Sequence, residues 1–220
     1  MSRHVVVSDA HLGSRFCRHD LWDRFLAGLP DGHALILNGD TVDRSRGGPP
    51  GAREAALDRL RSESARREVI WLWGNNDHGF RLDGAPLVRY AREHVINGSI
   101  LVCHGDRFEP AFRRNPMLVL AVRAMYWTYS GVSGKPLHTA AFAKFLRRFY
   151  IMFVDHVAGA AAAETAKRGM GTVICGHTHR PEERTVAGVR YVNTGCWTEP
   201  DIRFAVSDGD GVRLVRFEEA

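Results

Sequence analysis

The chain has 220 residues, of which 45% are hydrophobic and 25% are charged, as in ordinary soluble globular proteins, and it is long enough for one domain with an insertion. Its formal net charge of +5 favours anionic partners, such as phosphates, nucleic acid or an acidic membrane surface, over cationic ones. No apolar segment is long enough for a signal peptide or a spanning helix, and the four cysteines form no CxxC pair, so we expect a cytoplasmic protein with reduced thiols.

The first half of the chain alternates short apolar runs with helical patterns. Continuous runs of β-branched and other apolar residues predict strands that are buried on both faces. Helices are predicted between these runs at 19–29 from the spacing of apolar residues, at 52–66 from helix-favouring composition, and at about 86–94. The predicted strands are 5–7, 34–37, 69–73 and 99–103.

The pattern changes after the fourth predicted strand. Residues 107–170 contain no clear strand and hold apolar and basic helical stretches at about 116–130 and 138–168. A strand pattern resumes at 172–175, and the segments that follow it are typical of antiparallel hairpins. The order of elements predicts a single α/β domain over 1–220, with mixed sheets and a helical insertion at about 107–170.

Polar side chains with metal-binding atoms follow several of these strands. His177 and His179 lie two residues apart just after a predicted strand, so they project the same way from its end. Asp9 and His11 repeat that spacing after the first strand. Because binding residues of α/β sheets gather at the carboxyl ends of strands, we expect these side chains to converge. The candidate metal ligands are Asp9, His11, Asp40, Asn75, His104, His177 and His179.

This donor set favours two metal ions rather than one. Two carboxylates, one amide and four imidazoles are too many ligands for a single tetrahedral ion and suit a pair that shares a bridging carboxylate. Such a pair can acidify a water molecule and neutralise both sides of an in-line phosphoryl displacement. Two divalent ions are therefore expected, with manganese as the first expectation and iron or zinc as alternatives.

Five short blocks of the sequence, in this order, resemble those of the calcineurin-like metallophosphoesterases. The blocks are Asp9-Ala10-His11, Gly39-Asp40, Gly74-Asn75-Asn76-Asp77, His104-Gly105 and Gly176-His177-Thr178-His179. The resemblance implies a four-layer αββα sandwich and a hydroxide that attacks phosphorus between two metal ions. It implies one ion on Asp9, His11, Asp40 and His179, and a second ion on Asp40, Asn75, His104 and His177. The residues assigned to catalysis are Asp40, Asn75, Asn76 and His104.

The third block departs from the family pattern at Asn76. Family members usually carry a His there, which helps to protonate the leaving group, whereas an amide transfers no proton at neutral pH. A phosphate-type leaving group needs no proton, so Asn76 favours a pyrophosphate-like bond over a phosphomonoester. His78 either replaces the missing donor or is an ordinary surface residue, and both interpretations remain open. Asp43 and Asp77 are expected to orient neighbouring ligands.

A narrower resemblance concerns the insertion. The chain is similar to the bacterial UDP-2,3-diacylglucosamine hydrolases of lipid A synthesis. Those enzymes also replace that His and carry a helical insertion between the last two blocks. Their last block is often followed by Arg-Pro, as it is here by Arg180-Pro181. In those enzymes the insertion caps the site and holds acyl chains. The resemblance implies an amphiphilic nucleotide-sugar substrate such as UDP-2,3-diacylglucosamine.

The composition of the insertion also favours an amphiphilic anionic partner. Residues 107–148 hold eight basic residues and one acidic residue, Glu109, interleaved with aromatic and methionine side chains. Such helices suit anionic lipid, so we expect a lipid-linked phosphate substrate and peripheral contact with the inner membrane. Packing of the cap's own core is the plainer alternative, and nucleic acid is a further one. Substrate contacts are predicted for Asn76, Arg113, Arg114, Arg147 and Arg180.

Two other functions compete with this interpretation. A phosphatase, nuclease or cyclic-nucleotide phosphodiesterase of the same superfamily would use the same ligands on a water-soluble substrate. A non-catalytic scaffold is the third alternative. It is less favoured because scaffold members of this fold typically lack one or more ligands, and all seven are present here.

Overall fold

The computed structural model describes residues 3–43, 47–109, 116–133, 142, 144, 147–208 and 211–217. The α-helices within these residues are α1 (His19–Ala27), α2 (Ala52–Arg66), α3 (Pro116–Ser133) and α4 (Arg147–Lys167). The strands are β1 (Arg3–Val7), β2 (His33–Asn38), β3 (Val69–Leu72), β4 (Arg89–Ala91), β5 (Glu93–Ile96), β6 (Ile100–Cys103), β7 (Thr172–Cys175), β8 (Glu182–Val186), β9 (Val189–Asn193), β10 (Arg203–Asp208) and β11 (Gly211–Arg216).

The strands form two mixed sheets. The first sheet has the order β11-β10-β1-β2-β3-β4, with β1 to β4 parallel and β10 and β11 antiparallel at one edge. The second sheet has the order β5-β6-β7-β9-β8, with a parallel centre and an antiparallel strand at each edge. The predicted mixed α/β architecture is therefore confirmed.

Four layers stack with hydrophobic clusters between them. Successive residues of a strand face opposite sides, so on β1 Val5 packs with α1 and α2, whereas Val6 packs in the cluster that joins the two sheets. The outer face of the second sheet is covered by α4, where Ala158 and Ala161 contact Leu101 and its neighbours. The layers run helices, sheet, sheet, helix, as the family resemblance implied.

One predicted helix is wrong. The segment assigned to a helix at about 86–94 instead forms β4, which extends the first sheet, and the start of β5, which begins the second. Tyr90 stacks on Trp73 with 5.8 Å between ring centroids, so the packing of its side chain and pairing with β3 outweigh local helix propensity. The chain passes from one sheet to the other at Arg92.

The insertion is represented by α3 and α4, which lie between β6 and β7 in the chain. The predicted helix at 116–130 corresponds to α3, and the one at 138–168 corresponds in its later part to α4. The single-domain assignment with a cap stays a prediction. Within the described part of the chain, no helix has the length and apolar character needed to cross a bilayer.

Candidate metal centre

The carboxyl ends of β1, β2, β6 and β7 bring six of the seven predicted ligands to the same edge of the sandwich. Asp9 and His11 follow β1, Asp40 follows β2, His104 follows β6, and His177 and His179 follow β7. The loops are tied together by backbone hydrogen bonds, with Asp9 N donating to Gly39 O at 3.0 Å and Gly176 N to His104 O at 2.9 Å. The two sheets thus meet at this edge.

The first group of ligands consists of Asp9, His11 and His179, which are all buried. Their candidate ligand atoms lie within 4.8 Å of one another. His179 Nε2 is 3.2 Å from Asp9 Oδ1 and 3.2 Å from His11 Nε2. A carboxylate and two imidazoles at this separation match the donors that zinc, manganese and iron accept.

A second group lies beside the first and shares Asp9 with it. Asp9, Asp40 and His104 are buried and also place their candidate ligand atoms within 4.8 Å of one another. His104 Nε2 is 3.6 Å from Asp40 Oδ2. The ring of His177 lies 5.1 Å from that of His104, measured between centroids. Two adjacent ligand groups fit a pair of ions better than one, and the bridging role of Asp40 stays a prediction.

Backbone conformation marks the same residues. Seven non-glycine residues of the described chain have positive φ, a sparsely populated region for residues with a side chain. Five of the seven are predicted ligands, namely Asp9, His11, Asp40, His177 and His179. Because strain of this kind persists mainly where the surrounding structure enforces it, its concentration here supports a functional site.

Two glycines, which have no side chain, allow the carboxylates of Asp40 and Asp9 to lie directly against the main chain. A Cβ atom on Gly74 would lie 2.3 Å from Asp40 Oδ1, and one on Gly176 would lie 2.3 Å from Asp9 Oδ2. Contacts under 3.0 Å require atoms to move. The Gly residues of the third and fifth sequence blocks therefore set the positions of Asp40 and Asp9.

Opposite charges in the cluster hold the carboxylates ionised. Burial would raise the pKa of Asp9, but His104 and His179 outweigh it and hold the pKa at about 2. Asp40 behaves alike: burial opposes ionisation, yet His104 and His11 keep its pKa well below the usual range. Burial would lower the pKa of His104, whereas Asp40 and Asp9 raise it to about 10. The site is therefore built to hold positive charge.

Two buried polar atoms that make no hydrogen bond support the fit of these residues to a metal ion. Within the described residues, Asp9 Oδ1 and His104 Nε2 are buried and make no hydrogen bond. Such atoms are rare and costly unless an ion or water satisfies them. The opposite nitrogen of His104, Nδ1, is held 2.9 Å from Asn38 O, and His11 Nδ1 is 3.0 Å from Asp43 Oδ2. Metal-binding histidines are usually oriented by such partners, and the expected role of Asp43 agrees with its position.

The amides of the third block are placed differently from each other. Asn76 donates its backbone N–H to Asp40 Oδ1 at 2.7 Å and its side-chain amide to Asp40 Oδ2. Asn75 is exposed, and its role as a metal ligand stays a prediction. Asp77 is buried and accepts hydrogen bonds from the backbone of Thr41 and Gly74 and from Trp71 Nε1, so it fixes two ligand-bearing loops.

Several residues near the ligands escaped the sequence analysis. Glu109 Oε1 lies 2.9 Å from His177 Nε2. Cys196 and Glu199 place candidate ligand atoms within 4.8 Å of one on His179. The signal for Glu109 was present, since it is the one acidic residue in a strongly basic stretch. Cys196 lies shortly after the end of β9 and so carries the same strand-end signal as the ligands, whereas no spacing rule pointed to Glu199.

The predicted substrate residues are less closely grouped. Arg147 is exposed at the start of α4, and the Nε atom of Arg180 lies 3.6 Å from Glu182. Arg113 and Arg114 lie outside the described residues. A cavity of about 370 Å³ adjoins the ligands, and its lining includes Asn76, His78 and Arg53. A larger cavity of about 870 Å³ lies between α1, β10 and β11, and none of the seven predicted ligands lines it.

Comparisons with known proteins agree with this geometry. The sequence model of a family described as calcineurin-like phosphoesterase matches residues 2–181. No curated protein matches the sequence. Among solved structures, Vps29 from Chaetomium thermophilum is similar at 15% identity and a TM-score of 0.52, with 100% of this chain and 91% of that chain covered. A single mutant of Vps29 from Entamoeba histolytica is similar at 16% identity and a TM-score of 0.51, with 98% and 99% covered. At such identities the structural likeness shows the fold alone.

Proposed function

Because the chain belongs to the calcineurin-like phosphoesterases, we propose that it is a metal-dependent hydrolase that cleaves a pyrophosphate or phosphodiester bond. The observation that carries this proposal is the pair of adjacent buried ligand groups that share Asp9. The family typically depends on divalent metals, and the donors present here fit them. Manganese remains the metal of first expectation.

Each ligand residue has a definable task. Asp9, His11 and His179 would hold one ion, and Asp40, His104, His177 and Asn75 would hold the other, with Asp40 shared. When bound, the ions supply Lewis acidity and an activated water at neutral pH. The protein's part is to fix the donors: Asn76 clamps both oxygens of Asp40, and the N–H of His177 holds Asp9 Oδ2 at 2.9 Å.

The presence of Asn76 at this position also indicates which kind of bond is cleaved. Asn76 donates hydrogen bonds and has no proton to transfer at neutral pH. A leaving group that departs as an alkoxide would need a proton donor, whereas a phosphate departs as a stable anion. A pyrophosphate bond, as in a nucleoside-diphosphate sugar, is therefore the preferred substrate linkage.

The exposed surface of α3 and α4 supports an amphiphilic substrate. Eight of the ten large hydrophobic side chains exposed in the described residues lie on these helices, including Trp127 at 65% and Phe149 at 60% exposure. Arg147 and Arg148 are exposed beside Phe149. Apolar and basic side chains together suit an anionic lipid surface. We therefore propose a cytoplasmic enzyme peripheral to the inner membrane, with UDP-2,3-diacylglucosamine as the substrate to test first.

The test combines a substrate assay with metal binding. The purified protein with manganese should release UMP from UDP-2,3-diacylglucosamine, and absence of release with any divalent metal would reject this substrate. Strong turnover of water-soluble esters that survives deletion of about 110–168 would favour a different phosphoesterase of the superfamily.

The variant Asp40→Ala distinguishes an enzyme from a non-catalytic scaffold. The likeness to the Vps29 fold is compatible with the scaffold alternative. The variant should lose metal and hydrolysis together, because Asp40 lies in the ligand cluster and is held by Asn76. The expected loss is at least the 10- to 100-fold typical of a removed ligand partner. A variant with unchanged metal content and unchanged activity would support the scaffold.

A further inference from the structure

The cavity beside the metal ligands contains an arginine that no motif accounts for. Arg53, in the first turn of α2, lines the cavity of about 370 Å³ together with Asn76, His78 and Asp43. Two of these residues touch metal ligands, since Asn76 holds Asp40 and Asp43 holds His11. The predicted ligands themselves do not line the cavity, which lies next to them through Asn76 and Asp43.

The side chain of Arg53 is held in place by apolar contacts. Its aliphatic stem runs past Gly13, where an added Cβ would come within 2.9 Å of Cδ. Its guanidinium lies over the ring of Phe80, with Cζ 5.9 Å from the ring centroid. Stacking on an aromatic face and confinement of the stem reduce the entropy lost when a guanidinium binds an anion.

The guanidinium of Arg53 forms no ion pair with a described carboxylate, although Asp43 and Asp77 line the same cavity. Its Nε atom is buried and makes no hydrogen bond, and no ion pair joins it to a carboxylate of the described chain. The two nearby carboxylates are engaged elsewhere, Asp43 with His11 and Asp77 with backbone N–H groups and Trp71. A partly buried guanidinium that lines a cavity and forms no ion pair is suited to an anion that offers two oxygens.

We propose that Arg53 binds the leaving phosphate group of the substrate, and this inference rests on the function proposed above. A water oxygen forms the new bond to phosphorus, and its proton goes to solvent. The bond from phosphorus to the bridging oxygen breaks, and its electron pair stays on the leaving phosphate. Arg53 donates hydrogen bonds to that oxygen anion, so the charge is stabilised without a proton donor. Arg53 and Asn76 then specify pyrophosphate bonds together.

The test uses two stable ligands that differ by one phosphonate group. Methylenediphosphonate and methylphosphonate are titrated by calorimetry into the manganese-loaded protein, with excess metal throughout. The wild-type protein should prefer the diphosphonate. Arg53→Met keeps the stem over Phe80 and should reduce affinity for the diphosphonate by about 10- to 100-fold, the worth of hydrogen bonds to a charged group. Its affinity for methylphosphonate should stay within about 2-fold.

Controls keep the result interpretable. Arg53→Lys retains the charge without the planar fork and should fall between the wild type and Arg53→Met. Arg66→Met, in the last turn of the same helix and 60% exposed, should behave as the wild type. A wild-type protein that shows no preference, or an Arg53→Met variant that keeps it, overturns the assignment of Arg53. A wild-type protein that binds no manganese instead overturns the proposed metal-dependent function.

Discussion

Replacing Gly176 with alanine tests whether the backbone positions a metal ligand. Gly176 does not have positive φ, so alanine introduces no backbone strain and acts through its methyl group alone. That methyl would lie 2.3 Å from Asp9 Oδ2 and 2.3 Å from Ser8 Oγ. Ordinary contact begins near 3.4 Å, so the Asp9 carboxylate or the loop must retreat by about 1 Å.

The size of the effect follows from that displacement. Overpacking a filled site costs about 1–3 kcal/mol of folding free energy, while a 1 Å misplacement of a reacting group costs about 100-fold in rate. Gly176→Ala should therefore keep its fold, bind metal at least about 10-fold more weakly, and lose about 100-fold in hydrolysis of bis(p-nitrophenyl) phosphate. Calorimetry with manganese and an initial-rate assay measure the two effects.

A matched glycine provides the control. Gly171 precedes the same strand β7, and an added Cβ there meets nothing within 4 Å. Gly171→Ala should bind manganese and hydrolyse the diester as the wild type does. If Gly176→Ala keeps wild-type metal affinity while remaining folded, the conclusion that Gly176 fixes Asp9 is refuted.

Two more predictions concern the imidazoles. Glu109→Ala should weaken manganese binding by about 10-fold or more, because it removes the carboxylate that orients His177. Glu109→Gln keeps a hydrogen-bond acceptor and should retain most of the affinity. Calorimetry measures both affinities, and equal affinity of the wild type and both variants would contradict the orienting role of Glu109. The pKa of His104 is raised from 6.5 to about 10, so its protonation stabilises the fold fully below about pH 6.5. The stability of the metal-free protein should therefore fall as pH rises from about 7 to 10. The loss is at most about 1.4 kcal/mol per pH unit, urea unfolding in EDTA measures it, and a flat profile over this interval speaks against a charged His104.

The sequence was most informative where local pattern and chemistry coincide. Buried β-branched runs predicted the central strands, and polar residues two apart at their ends predicted which side chains meet. Asp9 and His179 lie 170 positions apart in the chain. Both follow predicted strands, and the tendency of binding residues to gather at the carboxyl ends of strands was enough to predict that they lie close together. The fold class was confirmed for the same reason.

The failures concern features that tertiary packing decides. The segment with β4 and β5 has a helix-like composition, and only the partners that it meets, Trp73 and β6, make it extended. Arg53 belongs to a helix that looked like an ordinary surface helix. The role proposed for Arg53 depends on the cavity that it lines together with Asn76, and single-sequence patterns carry no such information.

The insertion is coupled to the metal ligands by direct contacts. Lys144 donates to His179 O at 3.0 Å, and Tyr150 donates its hydroxyl to Thr178 O at 2.9 Å. With Glu109 on the ring of His177, three residues that follow β6 in the chain hold the loop that supplies the last two ligands. A substrate that displaces this segment must therefore also shift the ligand loop. The positions of His177 and His179 are consequently linked to the position of the insertion through the same few hydrogen bonds.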